Sequence, residues 1–318
     1  MADKKIVCLG GGIGTVNLIR GLKYYTSEIC VVSSMADDGG SSGRLRRLYD
    51  VPPPGDLVSC MAAIGNKNIE FSSHLLTYRF PGNRYGNDSA LEGHKLGNLI
   101  LTSIFNQTND FIKSIEIFQR TFNIPGHFYP STLENITISI KTKTGKIVVG
   151  EEKIELGQYR GKKDIDKVFL HPKNAKAYLP IIDAMINADA IIVGPGDVYT
   201  NNIPVLIVEG IHNAFKQSKA RKFLVVNIAN KPQETKDYAV SDYFDAFEKH
   251  LGNFPFDTVL INNNYSVNIP KRYKYEYVRQ FGHPRQKGFK LIRKDLLDEV
   301  FPLYHDCAKL AKAVVENI

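Results

Sequence analysis

The sequence predicts an α/β fold: a doubly wound, mostly parallel sheet with a small β-rich insert. Three observations carry this. Short apolar runs of strand length alternate with stretches of helical period along most of the 318 residues. Polar, glycine-rich turns follow several of these runs, at the edge where a parallel sheet binds its ligands. One stretch, 134–170, breaks the alternation with hairpin-like β patterning. Neither a low-complexity linker nor an internal repeat divides the chain. Residues 1–318 therefore read as one domain with an inserted subdomain near 134–170.

KIVCL (5–9) is a short buried strand. GGGIG (10–14) follows, then a helix from Thr15 to about Tyr25. ICVVSS (29–34) is the second strand, and MADDGGSSGRLRR (35–47) opens as a loop and passes into a helix at RLRRLYD. VPPPGD (51–56) is a rigid turn that places Asp56 to cap the helix DLVSCMAAIG. Helices fill 69–79 and 95–122, and Thr144-Gly145 turns a hairpin inside the insert. Strand and helix then alternate again through ADAIIVGPG, PVLIVEGIHNAFKQS, RKFLVVNIAN, SDYFDAFEKHL and DTVLINNN. An amphipathic helix over 298–316 closes the chain.

Composition narrows the function. Hydrophobic residues make up 43% and charged residues 23%, ordinary for a soluble globular protein. No run approaches the roughly 20 apolar residues of a membrane helix, and the N-terminus lacks signal-peptide architecture, so a cytoplasmic protein is expected. The four cysteines, Cys8, Cys30, Cys60 and Cys307, form no CxxC pair and indicate neither zinc nor a redox motif. Net charge is +8, but the basic residues are dispersed and carry no nucleic-acid motif. The field suits an anionic small molecule rather than nucleic acid.

The candidate ligand-binding residues cluster in the polar turns. Gly10, Gly11, Gly12 and Gly14 let backbone N–H groups approach a phosphate at a helix N-terminus. They match G-x-G-x-x-G imperfectly, because Thr15 takes the third place. Asp37 and Asp38 suit ribose hydroxyls, Mg²⁺ or a proton from an attacking hydroxyl. Gly39, Gly40, Ser41 and Ser42 form a candidate second anion nest, with Arg44, Arg46 and Arg47 as phosphate contacts. The alternative is that Asp38 caps a helix and the arginines lie on a solvated face. His94 and Asn98 sit in EGHKLGNLIL, whose small residues point to close packing or ligand contact. Gly194, Gly196 and Thr200 can present donors to an anion or a sugar. Asn227 and Glu234 suit a nucleobase or sugar hydroxyls, and His305-Asp306 reads as a surface pair. The serine-hydrolase elbow, HExxH and the kinase set are absent, so nothing points to a covalent nucleophile.

Taken together and in order, GGGIG, DDGGSSGRLR, PPGD, YRF, GHKLGN, GPGDVYT with IP downstream, N…ET and HDCAKLA resemble one family. It is the YvcK-like, or gluconeogenesis factor, branch of the superfamily that includes CofD, the 2-phospho-L-lactate transferase. The resemblance implies a Rossmann-like fold and a homodimer or higher oligomer. It implies a cytoplasmic binder of a UDP-sugar or NAD, linked to carbon metabolism, cell-wall synthesis and cell shape. The alternative it implies is a Mg²⁺-dependent transferase that moves a phospholactyl-type group onto a deazaflavin hydroxyl in coenzyme F420 synthesis. That chemistry needs a metal-binding carboxylate pair, for which Asp38 with Asp56 is the expected choice. The chain departs from the family with Ile13 where Thr is usual, Asp197 and Asn201 where Ser is usual or frequent, and Val205 where Asn is usual. An acid at 197 beside an anion site weakens phosphate binding unless a cation accompanies it.

Overall fold

The computed structural model describes residues 3–65, 70–83, 87, 90–159, 165–280 and 288–318. Position 69 of the expected helix, 160–164 of the insert and 285–287 of a basic run lie outside them. The strands are β1 (Ile6–Leu9), β2 (Ile29–Ser33), β3 (His127–Pro130), β4 (Thr137–Thr142), β5 (Ile147–Val149), β6 (Ile165–His171), β7 (Ala190–Val193), β8 (Arg221–Val225), β9 (Ala229–Asn230), β10 (Thr258–Asn262), β11 (Glu276–Tyr277) and β12 (Lys290–Lys294).

Seven of them form one sheet in the order β12-β10-β8-β7-β1-β2-β3. Every pairing in it is parallel. The central strands IVCL, ICVVS, AIIV and TVLIN are buried at every position, as unbroken apolar runs should be in a sheet covered on both faces. The chain builds outward from β1 to β3, then starts again at β7 and builds outward to β12. Connections from the adjacent strands β1 and β7 thus leave in opposite directions, which opens a crevice at their carboxyl ends. A second, antiparallel sheet of β5-β4-β6 is the expected insert, and its β4–β5 hairpin turns at Gly145, φ +88°. Among the described residues, no helix is long and apolar enough to cross a membrane.

Three helices frame the crevice: α1 (Gly12–Leu22), α2 (Gly40–Tyr49) and α3 (Gly55–Ile64). Each begins on a glycine. The GGSSG segment, expected as loop, is the first turn of α2. Glycine and serine are poor helix formers, so contacts from distant segments hold this turn. The helical stretch expected over 95–122 is two helices, Leu96–Thr108 and Phe111–Thr121. They break at Asn109, φ +49°, and Asp110 caps the second by accepting from the Lys113 N–H at 3.0 Å. The C-terminal helix is confined to Cys307–Val315, with Asp306 as its N-cap. The edge strands β3 and β12 have no counterpart in the sequence expectation.

Candidate functional site

A cavity of about 360 Å³ lies beyond the carboxyl ends of β1, β2, β7 and β8. That volume falls within the usual range for small-molecule pockets. Gly11 to Gly14, Asp37 and Asp56 line it, as do Glu151 and Glu155 of the insert. The turns after β7 and β8 contribute Pro195, Gly196, Asp197, Thr200, Asn201, Asn227 and Lys231. Tyr275, Leu303, Tyr304 and His305 complete the wall.

The glycine turn after β1 is shaped around a carboxylate of the chain itself. Asp56 accepts a hydrogen bond from the Gly12 N–H and another from Asn201 Nδ2 at 3.1 Å. A Cβ on Gly11 would stand 2.0 Å from Asp56 Oδ2. Gly14 is equally tight, since a Cβ there would fall 2.2 Å from the Pro195 carbonyl oxygen. The N-terminus of α1, read from the sequence as a phosphate cradle, faces the carboxyl group of Asp56. Asp56 is not a helix cap. It lies inside the first turn of α3, where Pro54 is the N-cap and no side chain caps the helix.

Asp37 is the second carboxylate on this floor. Its Oδ1 accepts from the Gly39 N–H at 3.0 Å. Burial, and then the charge of Asp56, push its pKa up to about 6. Burial also raises Asp56. The structure does not bring the expected pair, Asp38 and Asp56, together in the cavity; the carboxylate beside Asp56 is Asp37. Successive side chains on extended backbone point to opposite sides, and the local turn with Gly39 sends Asp37 inward. Asp38 instead accepts from the Glu152 N–H at 2.7 Å and ties the insert to the start of α2. Among the described residues, no group of three His, Cys, Asp or Glu side chains is placed to hold a metal ion. Two carboxylates with a ligand's phosphate oxygens suffice for Mg²⁺.

The turn after β7 is braced from below. Gly194, at φ +79°, precedes a cis peptide to Pro195. The Gly196 N–H donates to Asn227 Oδ1 at 2.9 Å. Val198–Asn202 is a π-helical turn, with the Asn202 N–H donating to the Asp197 carbonyl at 2.8 Å. Glu234 Oε1 accepts from the N–H groups of Tyr199 at 2.5 Å and Thr200 at 3.0 Å. Burial and the nearby Asp197 push Glu234 up to about 8. Asn227 and Glu234 thus hold the turn that carries Thr200. The acid at 197 has its cation within the chain: Lys231 Nζ lies 2.7 Å from Asp197 and 3.1 Å from Glu155.

Other expected ligand residues lie behind the cavity wall. Ser41 Oγ bonds His94 Nδ1 at 2.8 Å and accepts from Asn98 Nδ2 at 3.0 Å. Ser42 Oγ accepts from the Gly55 N–H at 3.1 Å, which fixes the start of α3 against α2. Gly39 and Gly40 abut the insert, the latter with its N–H 3.5 Å from Glu152 Oε1. Arg44 is buried, and its guanidinium donates to the carbonyls of Asn87 at 3.0 Å, Ala90 at 3.5 Å and Glu92. Arg46 donates to the Asp37 carbonyl at 2.9 Å and the Ile136 carbonyl at 2.8 Å. Gly10, φ +144°, continues β1 by donating to the Val32 carbonyl at 3.0 Å. His305 is no surface residue: it is buried on the cavity wall, and burial pushes its pKa down to about 3.

Sequence reasoning missed Glu151, Glu155, Lys231, Tyr275, Leu303 and Tyr304. The only local signal was the GEE triplet at the hairpin's exit, where a turn glycine precedes two acids.

Residues 6–297 match the family described as 2-phospho-L-lactate transferase CofD. The chain is similar to the gluconeogenesis factor of Halalkalibacterium halodurans, with 34% identity over 100% of this chain and 97% of that protein. It is also similar to the gluconeogenesis factor of Bacillus subtilis, with 34% identity over 98% of this chain and 97% of that protein. A crystal structure of a UPF0052 family member from Bacillus halodurans superposes with a TM-score of 0.86, at 33% identity and covering 99% of both chains.

Proposed function

The chain belongs to the CofD family, and on that premise we propose that it binds a nucleotide diphosphate, a UDP-sugar or a dinucleotide such as NAD, in the crevice between β1 and β7. One observation carries the reading. Two half-buried carboxylates, Asp37 and Asp56, meet at the N-terminal turn of α1 in a cavity of about 360 Å³. Two neighbouring carboxylates facing one cavity favour a divalent ion, and a diphosphate is the ligand that such an ion bridges. Asp37 and Asp56 would hold Mg²⁺, which supplies positive charge to phosphate oxygens. Thr200 and Asn201 add polar groups beside it. The chain acts in the cytoplasm as one unit and as a homodimer or higher oligomer. Its role is that of a gluconeogenesis-factor regulator of carbon metabolism, cell-wall synthesis and cell shape.

The test is calorimetry with UDP-glucose and NAD, with and without Mg²⁺. Binding that needs Mg²⁺ and disappears in Asp37→Asn and Asp56→Asn is expected. Absence of binding by either nucleotide in the presence of Mg²⁺ defeats the proposal. A second reading, phospholactyl-type transfer to a deazaflavin hydroxyl, is favoured by one feature. Asp37, held near 6, is matched to accept a proton from an attacking hydroxyl. Release of a nucleoside monophosphate with a deazaflavin acceptor, abolished in Asp37→Asn, would establish it.

A further inference from the structure

We propose that Lys231 is the chain's own phosphate contact, its ammonium donating to a phosphate oxygen of the bound nucleotide alongside the Mg²⁺ held by Asp37 and Asp56. The assignment rests on the nucleotide-binding reading above. Lys231 directly follows β9 and lines the cavity, with its side chain 12% exposed. Burial opposes its charge, but Asp197, Glu234 and Glu155 overcome that and hold it above the usual lysine range. It therefore carries three N–H donors. Among the described residues two are taken, by Asp197 Oδ2 at 2.7 Å and Glu155 Oε1 at 3.1 Å. The third is left for an acceptor in the cavity.

The two partners hold the ammonium near the place where the phosphates are set. Glu155 ends the insert's short helix Glu151–Glu155, and its charge acts on Asp37. Asp197 precedes the π-helical turn, and its charge acts on Asp56. Each partner of Lys231 is thus a neighbour of one carboxylate on the floor. The balance of charge calls for such a contact. Asp37, Asp56, Glu151, Glu155 and Asp197 all line the cavity, and a diphosphate brings further negative charge. Lys231 is the one lysine or arginine among the described residues that line it. A lysine is a compact point charge suited to phosphate oxygens. Asp197, which stands where the family usually has serine, then serves to hold that charge in place.

The experiment measures UDP-glucose and NAD by calorimetry with Mg²⁺ present. Asp197→Asn/Lys231→Met removes one charge of each sign and keeps the net charge of the site. For whichever nucleotide binds the unaltered protein, this variant should lower affinity by about tenfold or more. Asp197→Asn alone breaks the same ion pair but leaves the ammonium on Glu155. It should bind more tightly, since an acid beside the phosphates is gone. A thermal melt shows that the variants are folded, and Asp197→Asn/Lys231→Gln, of equal net charge, carries the test should the first not fold. Affinity of the double variant within about twofold of the unaltered protein overturns the assignment while nucleotide binding stands. So does a loss in Asp197→Asn as large as in the double variant, which would make the ion pair only a brace for the turn. Failure of the unaltered protein to bind either nucleotide overturns nucleotide binding and this assignment with it.

Discussion

The turn Gly10–Gly14 and the segment Asp37–Arg44 are both glycine-rich and both follow a central strand, yet the structure uses them differently. The first faces the cavity with three of its glycines, Gly11, Gly12 and Gly14. The second, with the more conspicuous composition, sends only Asp37 there. Its serines, its other acid and its arginine are consumed by bonds to His94 and Asn98, to α3, to the insert and to the carbonyls of Asn87, Ala90 and Glu92. A dense block of polar residues can therefore be architecture: it fixes α2 and α3 in the register that presents Asp37 and Asp56 together.

The sharpest way to break this comparison is Arg44→Ala. Removing a buried guanidinium leaves carbonyls at 87 and 92 without their donor, at about 1–3 kcal/mol each. A stability loss of about 3–5 kcal/mol in urea denaturation is expected, with nucleotide affinity unchanged in the fraction that stays folded. Lost affinity at unchanged stability would return Arg44 to the phosphate-binding role that its composition suggests.

Next in size is the contrast of Gly11→Ala with Gly12→Ala. At Gly11 the methyl collides with Asp56 at 2.0 Å, and a cost of about 2–3 kcal/mol to the ligand-free protein is expected. At Gly12 the methyl meets no atom within 4 Å, and only the backbone strain of φ +67° remains, about 1 kcal/mol. The reverse order in chemical denaturation would show that the turn is not shaped around Asp56.

The smallest effects separate Asp37 from Asp38. Asp37 has a folded pKa near 6, above its ordinary 3.8, so its protonated form is favoured by folding. Stability is then highest below about pH 4 for this group and falls as pH rises through 6, by at most about 3 kcal/mol before solvent screening reduces it. Asp37→Asn should flatten that slope in melts across this range. Asp38→Asn should leave it intact and cost about 1 kcal/mol through the weakened bond to the insert.

Much of the fold is legible in the sequence, because β1, β2, β7, β8 and β10 are apolar runs between helical stretches. The edge strands are not, since HFYP and KLIRK are only partly buried and carry no alternation strong enough to read. The start of α2 is illegible for another reason. Its helical form depends on His94, Asn98 and Gly55, far along the chain, against the propensity of its own residues. At the site, the two glycine turns and Asp56 are visible as residue types. The choice of Asp37 over Asp38 depends on one local turn, and Glu151 and Lys231 arrive only through the tertiary arrangement.

The π-helical turn Val198–Asn202 also sets how the chain tolerates changes in length. A π turn holds one residue more than an α turn in the same span. Deleting a single residue from it would let the backbone relax to ordinary pitch and move the residues left in the turn by one helical position, about 100° around its axis. Thr200 would leave the cavity, and Asn201 would release Asp56. The hairpin tip at Thr144-Gly145 lies away from the cavity, so a change of length there leaves the site's residues in place. A change of one residue is therefore felt unequally along this chain: least by the site at the tip of the insert, and most at the turn after β7, where the residue count itself is part of the site.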